Sequence, residues 1–235
     1  MPAAASADSF PLVGWWPLNE GSGQTVRDWS GRGNNGYLGS TTSADANDPS
    51  WIKGVFLGSA LRFDGVDDWV TIPSSDSLEP QRLTVAAWFR SSTPPGPYRY
   101  IVAKGSQQCD TGTFGLYTGV GGGLAFYIAD TSSHYFVTPE ASHSFYDGNW
   151  HHLAGTFDGS TVKLYIDGKL NSSAAATGPI DYDLADHTAQ IGGYGPNCSA
   201  NLQLGGDVDG VQIWSQALPV DTIWNALRSL FNLAK

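Results

Sequence analysis

Asp-Gly occurs five times, at Asp64-Gly65, Asp147-Gly148, Asp158-Gly159, Asp167-Gly168 and Asp209-Gly210. Both residues tolerate the positive φ of the primed turns that close two-residue hairpins. Between these points lie short runs of β-formers, among them "LTVAAWF", "YIVAK", "FGLYTG", "LAFYIA", "WHHLAGTF", "TVKLYI" and "VQIW". The spacing yields eleven to thirteen candidate strands, and no helical pattern alternates with them. That combination excludes a parallel α/β sheet and predicts an all-β, antiparallel two-sheet sandwich.

One segment shows the logic most clearly. In "WHHLAGTF" side chains alternate between faces, so Trp150, His152, Ala154 and Thr156 share one side and His151, Leu153, Gly155 and Phe157 the other. Two successive strand residues cannot aim at one ion, so His151 and His152 are read as structural. "DGST" then turns the chain, and Val162, Leu164 and Ile166 line one face of the return strand. A short helix is predicted at the end, where Ile223, Leu227, Leu230 and Ala234 form a stripe after Pro219. It is expected to cap the sandwich.

Composition bounds the function. The formal net charge is −10 with only 12 Lys and Arg, and no basic stripe is visible, which speaks against nucleic acid and anionic membranes as partners. No apolar run is long enough to span a bilayer. The opening "MPAAASADSF" lacks a basic or apolar leader. It is expected to be the flexible start of a mature secreted chain (residues 1–10), its leader replaced by the initiating Met. Residues 11–235 are expected to form one domain and a monomer. Cys109 and Cys198 both sit in loop composition. They are either free thiols or a disulfide; an oxidising compartment favours the disulfide, which would close a loop of about 90 residues.

Longer blocks resemble a known family. "GWWPLNEGSGQTVRDWSGRGNNGYL", "GSALRFDGVDDWVTIP", "LTVAAWF", the Trp-His-His hairpin and "VDGVQIWSQAL" occur in the order found in LamG-like jellyroll domains of the concanavalin A-like lectin/glucanase group. The resemblance runs from about Val13 to Leu227. It implies a jelly roll of two curved antiparallel sheets stacked face to face. It also implies a structural calcium between the first loop and the closing strand. Asp28, Gly31, Asn34 and Asp209 are the candidate ligands, offering the hard oxygens the ion requires. Gly210 stands where the family commonly has a second Asp.

A retaining glycosidase on this fold needs two carboxyl groups about 5 to 5.5 Å apart. Glu occurs only at 20, 79 and 140, and the Glu-x-Asp-x-x-Glu pattern of the related glucanases is absent. "DYDLAD", with Asp181, Asp183 and Asp186, has carboxylates in loop composition and reads as a solvated acidic loop. No catalytic residue is assigned. Distant residues could still converge in an enzyme, and an adhesion domain with a protein ligand is a third reading.

The favoured reading is a non-catalytic, lectin-like carbohydrate-binding module, attached to or cut from a polysaccharide-degrading enzyme. Such sites stack sugar rings on aromatics and hold hydroxyls with polar side chains. The loops richest in both supply Tyr98, Arg99, Tyr100, Asp110, His134, Tyr135, Tyr194, Asn197 and Asn201 as candidates for an oligo- or polysaccharide.

Overall fold

The computed structural model describes residues 12–55, 58–105, 112–183, 187–194 and 202–223. Among them are sixteen strands. The first eight are β1 (Leu12–Trp16), β2 (Thr25–Val26), β3 (Gly36–Leu38), β4 (Ser50–Lys53), β5 (Ser59–Asp64), β6 (Val70–Ile72), β7 (Leu83–Arg90) and β8 (Tyr100–Gly105). The rest are β9 (Gly112–Thr118), β10 (Leu124–Ala129), β11 (Tyr135–Val137), β12 (His151–Phe157), β13 (Thr161–Ile166), β14 (Lys169–Ala175), β15 (Ala189–Ile191) and β16 (Gly205–Trp214). The expected count was lower because the two- to four-residue β2, β3 and β4 carry few β-formers and because β14, "KLNSSAA", is polar and small-residue-rich although it is seven residues long.

These strands build two antiparallel sheets that form a jelly-roll sandwich. One runs β14-β13-β12-β7-β16-β5-β4, with β1 also paired to β16; the other runs β11-β10-β9-β8-β15-β6-β3-β2. Each strand turns one alternate set of side chains inward. On β7 that set is Leu83, Val85, Ala87 and Phe89; on β13 it is Val162, Leu164 and Ile166. From the opposite sheet come Phe114, Leu116, Phe126, Ile128 and Ile191. In β12, Leu153 and Phe157 enter the core as the alternation predicts, and His152, Ala154 and Thr156 take the other face.

Asp-Gly behaves in two ways. Asp158-Gly159 and Asp167-Gly168 close the β12–β13 and β13–β14 hairpins, and Asp167 and Gly168 have φ of 50° and 74°. Asp209-Gly210 is not a turn. It lies inside β16, where the register against β7 shifts between Asp209 and Gln212 and Gly210 has φ of 56°. This is a bulge, which uses the same left-handed glycine as a hairpin. It divides β16 into a half paired with β5 and a half paired with β1.

The described chain ends in a helical turn at 220–223, and Ile223 packs with Leu218 and Trp214 on the outer face of the first sheet. Leu227, Leu230 and Ala234 of the expected stripe lie outside the described residues.

Candidate functional site

Three of the predicted tyrosines, Tyr100, Tyr135 and Tyr194, meet on the outer face of the second sheet. Tyr100 opens β8 and stacks on Tyr194, which follows β15, with ring centroids 4.7 Å apart. On its other side Tyr100 stacks on Tyr117 of β9 at 5.5 Å. Tyr127 of β10 sets its ring near those of Tyr117, Tyr135 and Tyr100, at 5.0, 5.7 and 6.3 Å. Small residues make the floor. Ala103, Gly115 and Tyr127 are opposite one another across β8, β9 and β10, as are Tyr117 with Ala125 and Ala129 with Tyr135. A Cβ on Gly115 would lie 2.8 Å from the Tyr127 ring and 3.4 Å from that of Tyr100, so glycine there lets both rings lie across the strand.

The surface is graded. Tyr117, Tyr127 and Tyr194 are buried, whereas Tyr98 and Tyr135 are 45% and 46% exposed. Buried Tyr127 thus braces the exposed Tyr135. Burial pushes the Tyr100 hydroxyl up to about 12, and burial also raises those of Tyr117 and Tyr127. These phenols stay neutral near pH 7 and can both donate and accept.

Tyr117 and Tyr127 are missing from the sequence-derived set because that set is drawn from loops, whereas "FGLYTG" and "LAFYIA" read as strands. The alternation in those strands was the available signal. It puts both on the face opposite Phe114, Leu116, Phe126 and Ile128.

The other sequence candidates lie differently. Arg99 donates from Nε to the Pro95 carbonyl at 3.2 Å and so holds the loop before β8. His134 is tied by its backbone N–H and ring to Asp130 at the β10–β11 turn, with its ring largely exposed. Asp110, Asn197, Asn201 and both members of the Cys109–Cys198 pair lie outside the described residues.

The calcium candidates anchor two separate segments. Asp28 takes four donors: Trp15 N–H and Ser30 N–H on Oδ1, Ser30 Oγ and Asn34 N–H on Oδ2. Asn34 in turn donates to the Val13 carbonyl and accepts from Trp16 Nε1 through its own carbonyl. This ties the loop containing Gly31, at φ of 82°, to β1. Asp209 instead accepts from Val55 N–H at 2.9 Å. An ion on Asp28 would therefore compete with four protein donors.

The two histidines part company, as their alternation requires. His152 is 1% exposed, and burial pulls its ring down to about 3. His151 sits between Asp167, 2.7 Å from Nδ1, and Asp147, 3.2 Å from Nε2. Burial pulls the His151 ring down, but the two carboxylates outweigh it and the net shift is upward.

These shifts combine into a pH prediction. Burial lifts Asp209 to about 7 and Asp68 to about 6. Both stay protonated in the folded state at pH values where the unfolded chain has lost the proton, so stability falls as pH rises from about 4 to 7. His151 contributes stability that is full below its unfolded pKa and lost as pH rises through the raised folded value. In the other direction, buried His152 at about 3 contributes stability that is lost as pH falls below the unfolded histidine value, which offsets part of the gain from Asp209, Asp68 and His151 at pH 5. Bonds from Asn149 hold Asp147 at about 2, and the His134 N–H depresses Asp130, so their stabilisation is lost only in strong acid. The urea midpoint is expected to be higher at pH 5 than at pH 8, and Asp209→Asn should flatten that difference. A midpoint that rises from pH 5 to pH 8 would contradict the assignment.

Comparison with known proteins places this geometry. A family model described as the concanavalin A-like lectin/glucanases superfamily matches residues 64–223. No curated protein sequence matches the chain. Among solved structures, it is similar to domain 4 of AbnA, a GH43 extracellular arabinanase from Geobacillus stearothermophilus, in complex with arabinotriose. The TM-score is 0.69 at 16% identity, over 91% of this chain and 97% of that one. It is also similar to the binding domain of Paraclostridial Mosquitocidal Protein 1 (TM-score 0.67, 15% identity, 94% of this chain and 53% of that one). The receptor binding domain of botulinum neurotoxin D gives 0.63 and 15%, again over 94% of this chain and 53% of that one. The chain thus spans almost all of the arabinanase domain and about half of each toxin structure. At these identities the likeness is one of fold.

Proposed function

Because this chain belongs to the concanavalin A-like lectin/glucanases superfamily, we propose that it is a saccharide-binding domain of a secreted protein whose binding face is the tyrosine surface of the second sheet. One observation carries the reading. Rings from separate strands and loops converge on one sheet face, with exposed Tyr135 braced by buried Tyr127 and exposed Tyr98 two residues before Tyr100. Pyranose and furanose rings present C–H faces that pack on aromatic faces, and phenol hydroxyls bond to sugar hydroxyls. Rings already held by neighbours lose little freedom on binding, so less of the contact energy is spent on ordering. The complex of the arabinanase domain with arabinotriose supports a neutral sugar chain as the ligand and a polysaccharide-degrading enzyme as the parent protein.

The test is a glycan array followed by calorimetry on any hit. Tyr135→Ala and Tyr98→Ala should each weaken binding by roughly tenfold or more, about 1.4 kcal/mol. Both residues are exposed, so the variants should keep the wild-type unfolding midpoint. A hit bound equally well by both variants, or silence across the array beside tight capture of a protein ligand, would overturn the reading. A structural calcium between the Asp28 loop and Asp209 is a separate proposal, and it requires the ion to displace some of the four donors on Asp28. A rise in melting temperature with calcium that Asp28→Asn abolishes would support it, and indifference to calcium would remove it.

A further inference from the structure

The opposite sheet carries a second polar feature that the tyrosine face does not use. On its outer side, Asp207 of β16 lies between Arg62 of β5 and Arg90 of β7 in register. Arg62 donates from Nε and Nη2 to Asp207 Oδ1 and Oδ2, at 2.8 and 3.2 Å. Arg90 donates from Nε and Nη2 to Oδ2, at 2.8 and 2.6 Å. Asp207 itself is buried. A guanidinium has five N–H donors. With two given to Asp207, five minus two leaves three on each arginine directed elsewhere.

Both arginines border a cleft of about 590 Å³, walled on one side by the loop from Ser91 to Pro95 and on the other by glycines. Among the described residues, a Cβ added to Gly205 would meet Gly65 alone, at 3.8 Å, and one added to Gly148 Ser92 alone, at 3.8 Å, so their backbone is not covered by described side chains. Arg90 is further fixed by the Trp150 ring, 4.6 Å from its Cζ. Arg62 and Arg90 against Asp207 and Asp64 leave the cleft with no net charge, in a chain whose formal charge is −10, so an anion would be held there by directed N–H donors and not by a surplus of positive charge. Asp64 also lines the cleft, and its Oδ1 accepts from the Val66 N–H of its own turn. Its charge, with Asp67 and Asp68 close by, disfavours a dianion such as phosphate more strongly than a singly charged group.

We propose that this cleft is a second ligand site, taking the carboxylate of a uronic acid residue in a forked contact with Arg62 and Arg90. Guanidinium and carboxylate match in planar, two-pronged geometry, and forks already pinned by Asp207 are preorganised for it. The proposal rests on the saccharide reading only for the body of the ligand; the carboxylate contact does not depend on the tyrosine face.

The experiment is a titration followed by backbone amide shifts, using sodium galacturonate, its methyl ester and galactose as probes. Galacturonate should shift the amides of Gly65, Gly148 and Gly205, with the ester and galactose weaker by roughly tenfold or more. Arg62→Gln, at an exposed position, should weaken galacturonate by a similar factor, and Tyr135→Ala should leave this site unchanged. An equal response to all three sugars, an unchanged response in Arg62→Gln, or no response at these glycines would overturn the site. The tyrosine reading is reported separately by the amides of Tyr117 and Tyr127, so either claim can fail alone.

Discussion

Gly155→Ala is expected to destabilise the fold by about 3 kcal/mol, the upper end for an overpacked core. Gly155 lies mid-strand in β12, paired on one side with Val85 of β7 and on the other with Leu164 of β13. On the inner face, the ring of Phe126 from the opposite sheet occupies the space a side chain would take. A Cβ would lie 2.7 Å from Phe126 Cε2 and closer still to Cγ and Cδ2. Phe126 is fully buried, so its ring has nowhere to swing. Both backbones are held by ladders on either side, so the sheets cannot part locally. Against a total stability of roughly 5 to 15 kcal/mol, that loss should be plain in the urea midpoint. Phe126→Leu should cost stability alone, yet the double variant should lose less than the sum, because the smaller side chain relieves the clash. A loss below about 1 kcal/mol for Gly155→Ala would mean the sheets do not meet at this point.

Asp28→Ala is expected to cost a similar amount, on the order of 3 kcal/mol, because one carboxylate serves four donors. Two of these belong to the backbones of Trp15 and Asn34, both buried residues, so water replaces the lost acceptor poorly. Asp28→Asn should cost less. Its oxygen can keep Trp15 and Ser30, and its amide nitrogen can donate to the Ser30 hydroxyl, but it would oppose the Asn34 N–H. Thermal melts of the two variants, ranked Ala below Asn below wild type, check the account. Equal melting temperatures for all three would show that the loop does not hold β1 in place.

Several features were readable without coordinates because they depend on near neighbours in the chain. The faces of "WHHLAGTF" and "TVKLYI" came out as the period of two required. His151 and His152 were correctly separated, since adjacent strand residues diverge whatever the fold around them. The tyrosines Tyr98, Tyr100, Tyr135 and Tyr194 were singled out by loop chemistry, and the second sheet brings Tyr100, Tyr135 and Tyr194 together with Tyr117 and Tyr127. The last two were passed over because a tyrosine in an apolar strand looks the same whether its ring enters the core or lies on the outer face.

Other features had no local trace. Asp209-Gly210 has the composition of a hairpin, and only the partner strands β7, β5 and β1 make it a bulge. In "LAGTF" a glycine stands at an inward position, but nothing nearby in the chain announces Phe126 as the group that fills it. Arg62, Arg90 and Asp207 are far apart in sequence and meet only through the order β5-β16-β7. Turn chemistry and strand alternation are set by residues within a few positions, so the chain carries them openly. Which surfaces coincide depends on register and strand order, and these are chosen by the packing of the whole sandwich.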